Sequence, residues 1–114
     1  EPRYFGRVSN MGKEEFEECK RAYSALFEAA ISRAAEEKFD LLVLDEAVSS
    51  CNHGVISEGA LLRFLKSRPA RLEVVLTGRE PSAALVEVAD YVTEMKKIKH
   101  PFDAGVVARR GIEF

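Results

Sequence analysis

The sequence has no tryptophan, two cysteines and two histidines, and it lacks any apolar run near the roughly 20 residues of a membrane helix. A membrane-spanning role is therefore not expected, and no signal-peptide pattern opens the chain. Cys19 and Cys51 form no CxxC and join no Cys/His cluster with zinc spacing, which argues against a structural zinc site or a redox pair. Two unpaired cysteines suit a reducing cytoplasm. Neither charge sign dominates: 17 Lys and Arg stand against 19 Asp and Glu, a formal net charge of −2. Such a balance gives no general attraction to nucleic acid or to an anionic membrane. Internal repeats and low-complexity segments are absent too. The chain does not begin with Met, and Glu1-Pro2-Arg3 reads as the start of a processed product or of a piece of something longer.

What is present is an ordinary globular balance, 46% apolar and 32% charged over 114 residues, which fits a single domain spanning 1–114. Its focus is the stretch Phe39-Asp40-Leu41-Leu42-Val43-Leu44-Asp45-Glu46. Four consecutive apolar residues without polar alternation predict a strand buried on both faces. Ionised carboxylates are costly to bury unpaired, so Asp45 and Glu46 are expected where the strand leaves the sheet. Ligands bind at that carboxyl edge in open α/β sheets. An apolar strand ending in Asp-Glu is also how P-loop NTPases hold Mg²⁺ against a triphosphate. Acids at a strand end equally serve as helix-starting or solvated residues.

Other elements follow in order. Residues 3–8 suggest a short strand. From Lys13 to Lys38, Phe16, Cys19, Tyr23, Leu26, Phe27, Ala30, Ile31 and Ala34 recur at spacings of three and four, which predicts an amphipathic helix with its aromatics in the core. Glu14, Glu15, Glu17 and Glu18 crowd its start, where the macrodipole favours negative charge. Ala47 to Cys51 suggests a turn of helix, broken at Asn52-His53-Gly54; His53 reads as an exposed loop histidine near the acidic edge. Ser57 is placed to cap a helix running to Lys66, and Pro69 follows its end. Leu72 to Leu76 predicts a second buried strand, closed by Thr77-Gly78-Arg79. Pro81 and Ser82 open a helix to about Ala89. Tyr91 to Met95 predicts a third strand, and the basic, glycine-containing tail predicts a loop with one short strand. Alternating helices and strands imply an α/β fold, a mainly parallel sheet with helices on both faces.

Four blocks then carry a resemblance: FDLLVLDE (39–46), RP…LEVVLTGR (68–79), ADYVTEM (89–95) and KHPFDAGVVARRGIEF (99–114). In that order they resemble the ATP:corrinoid adenosyltransferases, the cob(I)alamin adenosyltransferase family with a P-loop NTPase-like fold. The resemblance implies transfer of the 5′-deoxyadenosyl group of ATP to the cobalt of a reduced corrinoid, with triphosphate released. It implies Mg²⁺ or Mn²⁺ and a homodimer. Asp45 and Glu46 would hold the metal. Thr77, Gly78 and Arg79 would form the cofactor-binding end of the second strand, with Arg79 either binding phosphate or holding the site together. No catalytic side chain is expected, because the cobalt is the nucleophile and the protein's part is positioning. Lys99, His100 and Phe102 are expected at a subunit interface or closing the site.

One departure is large. The family opens with a Gly-rich phosphate loop ending in Gly-Lys-Thr-Thr, and no GxxxxGK[ST] occurs here. Gly12-Lys13 is followed by Glu14-Glu15, acids that would repel a phosphate. The N-terminal strand and phosphate loop are absent, and Tyr4 and Phe5 carry no clean motif. Two expectations compete. The chain is the C-terminal portion of an adenosyltransferase-like fold, with little activity alone. Otherwise it is a non-catalytic corrinoid-binding or dimerising module. A fragment of another P-loop NTPase acting on nucleic acid fits the charge balance less well.

Overall fold

In the computed structural model, residues 8–112 are described, the Ser9 side chain excepted. The strand suggested at 3–8 falls almost wholly outside that range, as do Tyr4 and Phe5; Val8 itself begins a 3-10 turn, Val8–Asn10. Helix α1 (Lys13–Glu36) follows, close to the span that its periodicity predicts. Glu14 and Glu15 occupy its first turn. The buried stripe is Cys19, Phe27 and Ala34, with Phe16 and Ile31 half-buried beside them. Tyr23 and Leu26 point out instead, 37% and 55% exposed. Ser24 takes the inward place and donates to the Val55 carbonyl at 3.1 Å.

The two strands, β1 (Leu41–Leu44) and β2 (Glu73–Leu76), pair in parallel with Leu41 opposite Glu73 and Leu44 opposite Leu76. A parallel pair needs a long crossover. Here it consists of α2 (Ala47–Asn52) and α3 (Glu58–Ser67). Ser57 caps α3 as expected, its hydroxyl accepting from Ala60 N at 3.2 Å. At the other end Arg68 donates to the Leu65 carbonyl at 2.9 Å, satisfying an acceptor that a helix terminus leaves open, and to the Leu72 carbonyl at 3.1 Å. Helix α4 (Ala83–Val88) is capped by Ser82, which accepts from Leu85 N. The core gathers Phe27, Val48, Ile56, Leu61, Phe64, Leu72 and Leu85 between the helices and one face of the sheet.

Three expectations are corrected among the described residues. The strands are not buried on both faces. Leu42, Leu44, Val74 and Leu76 pack on the core, whereas Leu41, Val43 and Val75 on the opposite face are 56%, 53% and 44% exposed. The helices therefore cover one face of the sheet only. Nor is Tyr91–Met95 a strand. It has no regular structure, and the sheet holds two strands. Its apolar residues have no neighbouring strand to pair with, and a strand's backbone groups need such partners. Among its described residues the tail also lacks the short strand expected there; their one regular element is a 3-10 turn, Pro101–Ala104.

Candidate site at the carboxyl ends of the strands

Parallel pairing in register brings the ends of β1 and β2 side by side, and this is what assembles the site. Thr77 N donates to the Leu44 carbonyl at 3.2 Å, carrying the ladder one step past the strands. Thr77 is thereby fixed beside Asp45. Its hydroxyl donates to Asp45 Oδ1 at 2.6 Å and accepts from Glu46 N at 2.8 Å. The Thr77 carbonyl accepts from Val48 N at 3.2 Å, one of the amides that the start of a helix leaves without an internal partner. A single threonine thus ties the strand end, the acidic pair and the start of α2.

Glu46 adopts a left-handed backbone, φ 55°, rare for a residue with a side chain. The turn lets the chain leave β1 and enter α2 at once. It also lets Ser49, three residues on, donate to Glu46 Oε2. Gly78 lies against the same helix with φ 141°. A Cβ there would stand 2.7 Å from Val48 Cβ and 3.0 Å from Ser49 N. Glycine is required twice over, for the backbone angle and for the close approach. Beyond it Arg79 is exposed, and Glu80 is again left-handed, φ 55°. Asn52, at the far end of α2, donates from Nδ2 to the carbonyls of Arg79 and Glu80, both at 3.0 Å.

All five residues singled out in the sequence, Asp45, Glu46, Thr77, Gly78 and Arg79, therefore lie at one edge. Thr77, however, is engaged with Asp45 and Glu46, and Gly78 with α2. Ser49 and Asn52 escaped the sequence reading. The serine's spacing from Glu46, one turn along a predicted helix, was an available signal; Asn52 read only as a helix breaker. His53 caps α2, its Nδ1 2.7 Å from the Ser49 carbonyl. Cys51 in the same helix is half-buried, and burial, then Glu58, pushes its thiol up. His100 caps the tail's 3-10 turn by accepting from Phe102 N at 3.1 Å.

The donor set suits a small hard cation. Asp45 and Glu46 are both exposed. One oxygen of each carboxylate takes a hydroxyl, leaving the second for a metal. Among the described residues no third His, Cys, Asp or Glu joins them. Mg²⁺ is commonly held in this way, by one or two carboxylates with waters and substrate phosphates completing the shell.

Comparison with known proteins decides the family. The model of the ATP:corrinoid adenosyltransferase BtuR/CobO/CobP family matches residues 3–114. The chain belongs to this family. The corrinoid adenosyltransferase of Pseudomonas aeruginosa is 39% identical over 90 residues, covering 79% of this chain and 44% of that protein. The corrinoid adenosyltransferase from Sinorhizobium sp is 42% identical over 95 residues, again 79% and 44%. That of Escherichia coli K12 is 34% identical over 80 residues, 70% and 41%. The adenosyltransferase-family chain thus spans less than half the length of these relatives. No helix among the described residues is long and apolar enough to cross a membrane.

Proposed function

We propose that the chain serves in ATP:cob(I)alamin adenosyltransfer, as the C-terminal portion of a P-loop NTPase-like, homodimeric cytoplasmic enzyme. The observation that carries this reading is the acidic pair, Asp45-Glu46, locked by Thr77 to the neighbouring strand end in a chain of the corrinoid adenosyltransferase family. In the reaction the reduced cobalt of the corrinoid gives its electron pair to C5′ of ATP. A Co–C bond forms, the C5′–O bond breaks, and triphosphate leaves with the bonding electrons. No side chain need act as nucleophile or base.

The chain's own residues supply the leaving-group end. Asp45 and Glu46 would hold Mg²⁺ or Mn²⁺, with Thr77 fixing Asp45. A bound divalent ion would offset the charge that gathers on the departing triphosphate. Arg79, exposed beside them, would bind a phosphate oxygen through its guanidinium. Gly78 lets the backbone approach α2 closely enough to keep these groups on one edge. Lys99, His100 and Phe102 would pack at the subunit interface or close the site.

The test is a titration of the 114-residue chain with Mn²⁺ and inorganic tripolyphosphate, followed by Mn²⁺ electron paramagnetic resonance. Binding is expected, and Asp45→Asn or Glu46→Gln should weaken it by more than about tenfold, since even outer partners of a metal site cost that much. Absence of binding, or binding indifferent to both substitutions, would sink the reading. A second reading, a non-catalytic corrinoid-binding or dimerising module, draws on the lack of any GxxxxGK[ST] within residues 1–114. Hydroxocobalamin bound by a chain that ignores Mn²⁺ and tripolyphosphate would select it.

A further inference from the structure

The two ends of the candidate site are held by one short helix that no sequence motif singles out. Ser49 and Asn52 lie three residues apart in α2, so they share a face. Ser49 grips the carboxylate of Glu46. Asn52 grips the backbone on which Arg79 rides, one amide bonding two successive carbonyls at 3.0 Å. That backbone needs holding: Glu80 sits at φ 55° immediately after Arg79, a conformation that persists only when its surroundings impose it. Gly78 meanwhile brings β2's end to within a Cβ contact of Val48 and Ser49.

We propose that Ser49 and Asn52 are positioning residues, the first for the metal-holding carboxylate and the second for the phosphate-binding Arg79, so that α2 sets the spacing between the site's two charged ends. The inference rests on the functional reading above, and it assigns separate duties to its two residues. Ser49 orients Glu46 so that its free oxygen faces the cation. Asn52 fixes the turn after β2, from which the Arg79 guanidinium reaches a phosphate. Neither side chain is in the buried core, and each hydrogen bond replaces one that water would otherwise make. Removing either should therefore cost ligand binding more than folding.

The experiment separates the two duties in the 114-residue chain. One arm measures Mn²⁺ affinity by electron paramagnetic resonance without phosphate. The other measures metal-free tripolyphosphate binding by calorimetry. Ser49→Ala should weaken Mn²⁺ binding about tenfold, as for outer partners of metal sites, and leave tripolyphosphate binding unchanged. Ser49→Thr, which keeps the hydroxyl, should restore most of the loss. Asn52→Ala should do the reverse, weakening tripolyphosphate about fivefold, the worth of a net hydrogen bond, with Mn²⁺ affinity intact. Thermal midpoints should fall by only the few degrees that one or two exposed hydrogen bonds are worth. A merely structural role would instead lower both affinities together, and that result overturns the proposal. Asp45→Asn and Arg79→Ala serve as references. If these two abolish their respective binding while Ser49→Ala and Asn52→Ala do nothing, the positioning roles are wrong and the functional reading stands. If the references themselves leave binding untouched, the functional reading fails and takes this inference with it.

Discussion

Residues 72–76 and residues 91–95 carry similar signals and meet different fates. Leu72-Glu73-Val74-Val75-Leu76 and Tyr91-Val92-Thr93-Glu94-Met95 are both short and rich in β-formers. The first contains β2, paired residue by residue with β1, and Leu72 is 1% exposed. The second has no regular structure, and Tyr91 and Met95 are 92% and 93% exposed. The difference lies in partners. A strand is stabilised by its neighbour's hydrogen bonds and by what packs on its face, and propensity adds only a bias. Residues 72–76 find β1 on one side and the core beneath. Among the described residues nothing plays either part for 91–95.

The sharpest way to probe this contrast is Leu72→Ala. A buried leucine truncated to alanine typically costs about 2–5 kcal/mol, through lost transfer energy and an incompletely closed cavity. Stability of a domain this size is itself only about 5–15 kcal/mol, so outright unfolding lies within reach. Urea denaturation followed by far-UV circular dichroism would measure it. A loss under about 1 kcal/mol would mean that Leu72 is no better packed than the tail, and the comparison would collapse.

Legibility in the sequence follows the same line. Where a signal is local, it reads correctly. Ser57 and Ser82 cap their helices as their positions suggest, because a cap needs only its own next turn. Helix α1 reads well because its stripe is long. The acidic edge is legible because burying two carboxylates is prohibitive anywhere else. The inferences that fail are ones that need a distant partner. Burial of Leu41 and Val43 requires a layer on the second face of the sheet, and no residue of β1 says whether one is there. The strand at 91–95 requires an edge to join. Ser49 and Asn52 matter only because register sets β2's end against α2, and register is a property of the pair.

The turn after β2 offers the next largest effect. Gly78→Ala would place a methyl 2.7 Å from Val48 Cβ at φ 141°. Strain and overpacking of this kind cost about 1–3 kcal/mol, and the same variant should disturb the Thr77 contacts that join the strand ends. Gly105 and Gly111, in the tail, have φ 77° and 79° but nothing within 4 Å of an added Cβ. Alanine there should cost less, about 1 kcal/mol for the backbone angle alone. Equal losses at 78 and 105, measured by urea midpoints, would show that close approach to α2 contributes nothing.

Helix starts come third. Ser57→Ala should remove about 1 kcal/mol, the usual worth of an N-cap, and Ser57→Asp should retain it. A smaller effect is read through pH. Burial, then Glu15, pushes the Cys19 thiol up from its ordinary 9.0, as burial and Glu58 do for Cys51. The folded chain thus keeps protons that the unfolded chain gives up above about pH 9. The corresponding stability is fully present below that value and is lost as pH rises through the folded thiols' higher range. Urea midpoints should fall from pH 8 to pH 10, and Cys19→Ala with Cys51→Ala should flatten the slope. An unchanged slope in the double variant would assign the alkaline loss to other groups.

The smallest expected effect is the most informative about 91–95. Met95→Ala and Tyr91→Ala remove large apolar side chains that are almost fully exposed, and exposed substitutions rarely move stability by more than about 0.5 kcal/mol. Both should leave the urea midpoint of the 114-residue chain unchanged, against the several kcal/mol of Leu72→Ala. The measurement should be repeated over a hundredfold range of protein concentration. A loss above about 1 kcal/mol at every concentration would mean that Tyr91 and Met95 are buried within their own chain, and the segment would then be a strand after all. A loss that appears only at high concentration would mean that a second copy covers them. In either case β2 and 91–95 would cease to be opposites, because both would owe their order to a neighbour.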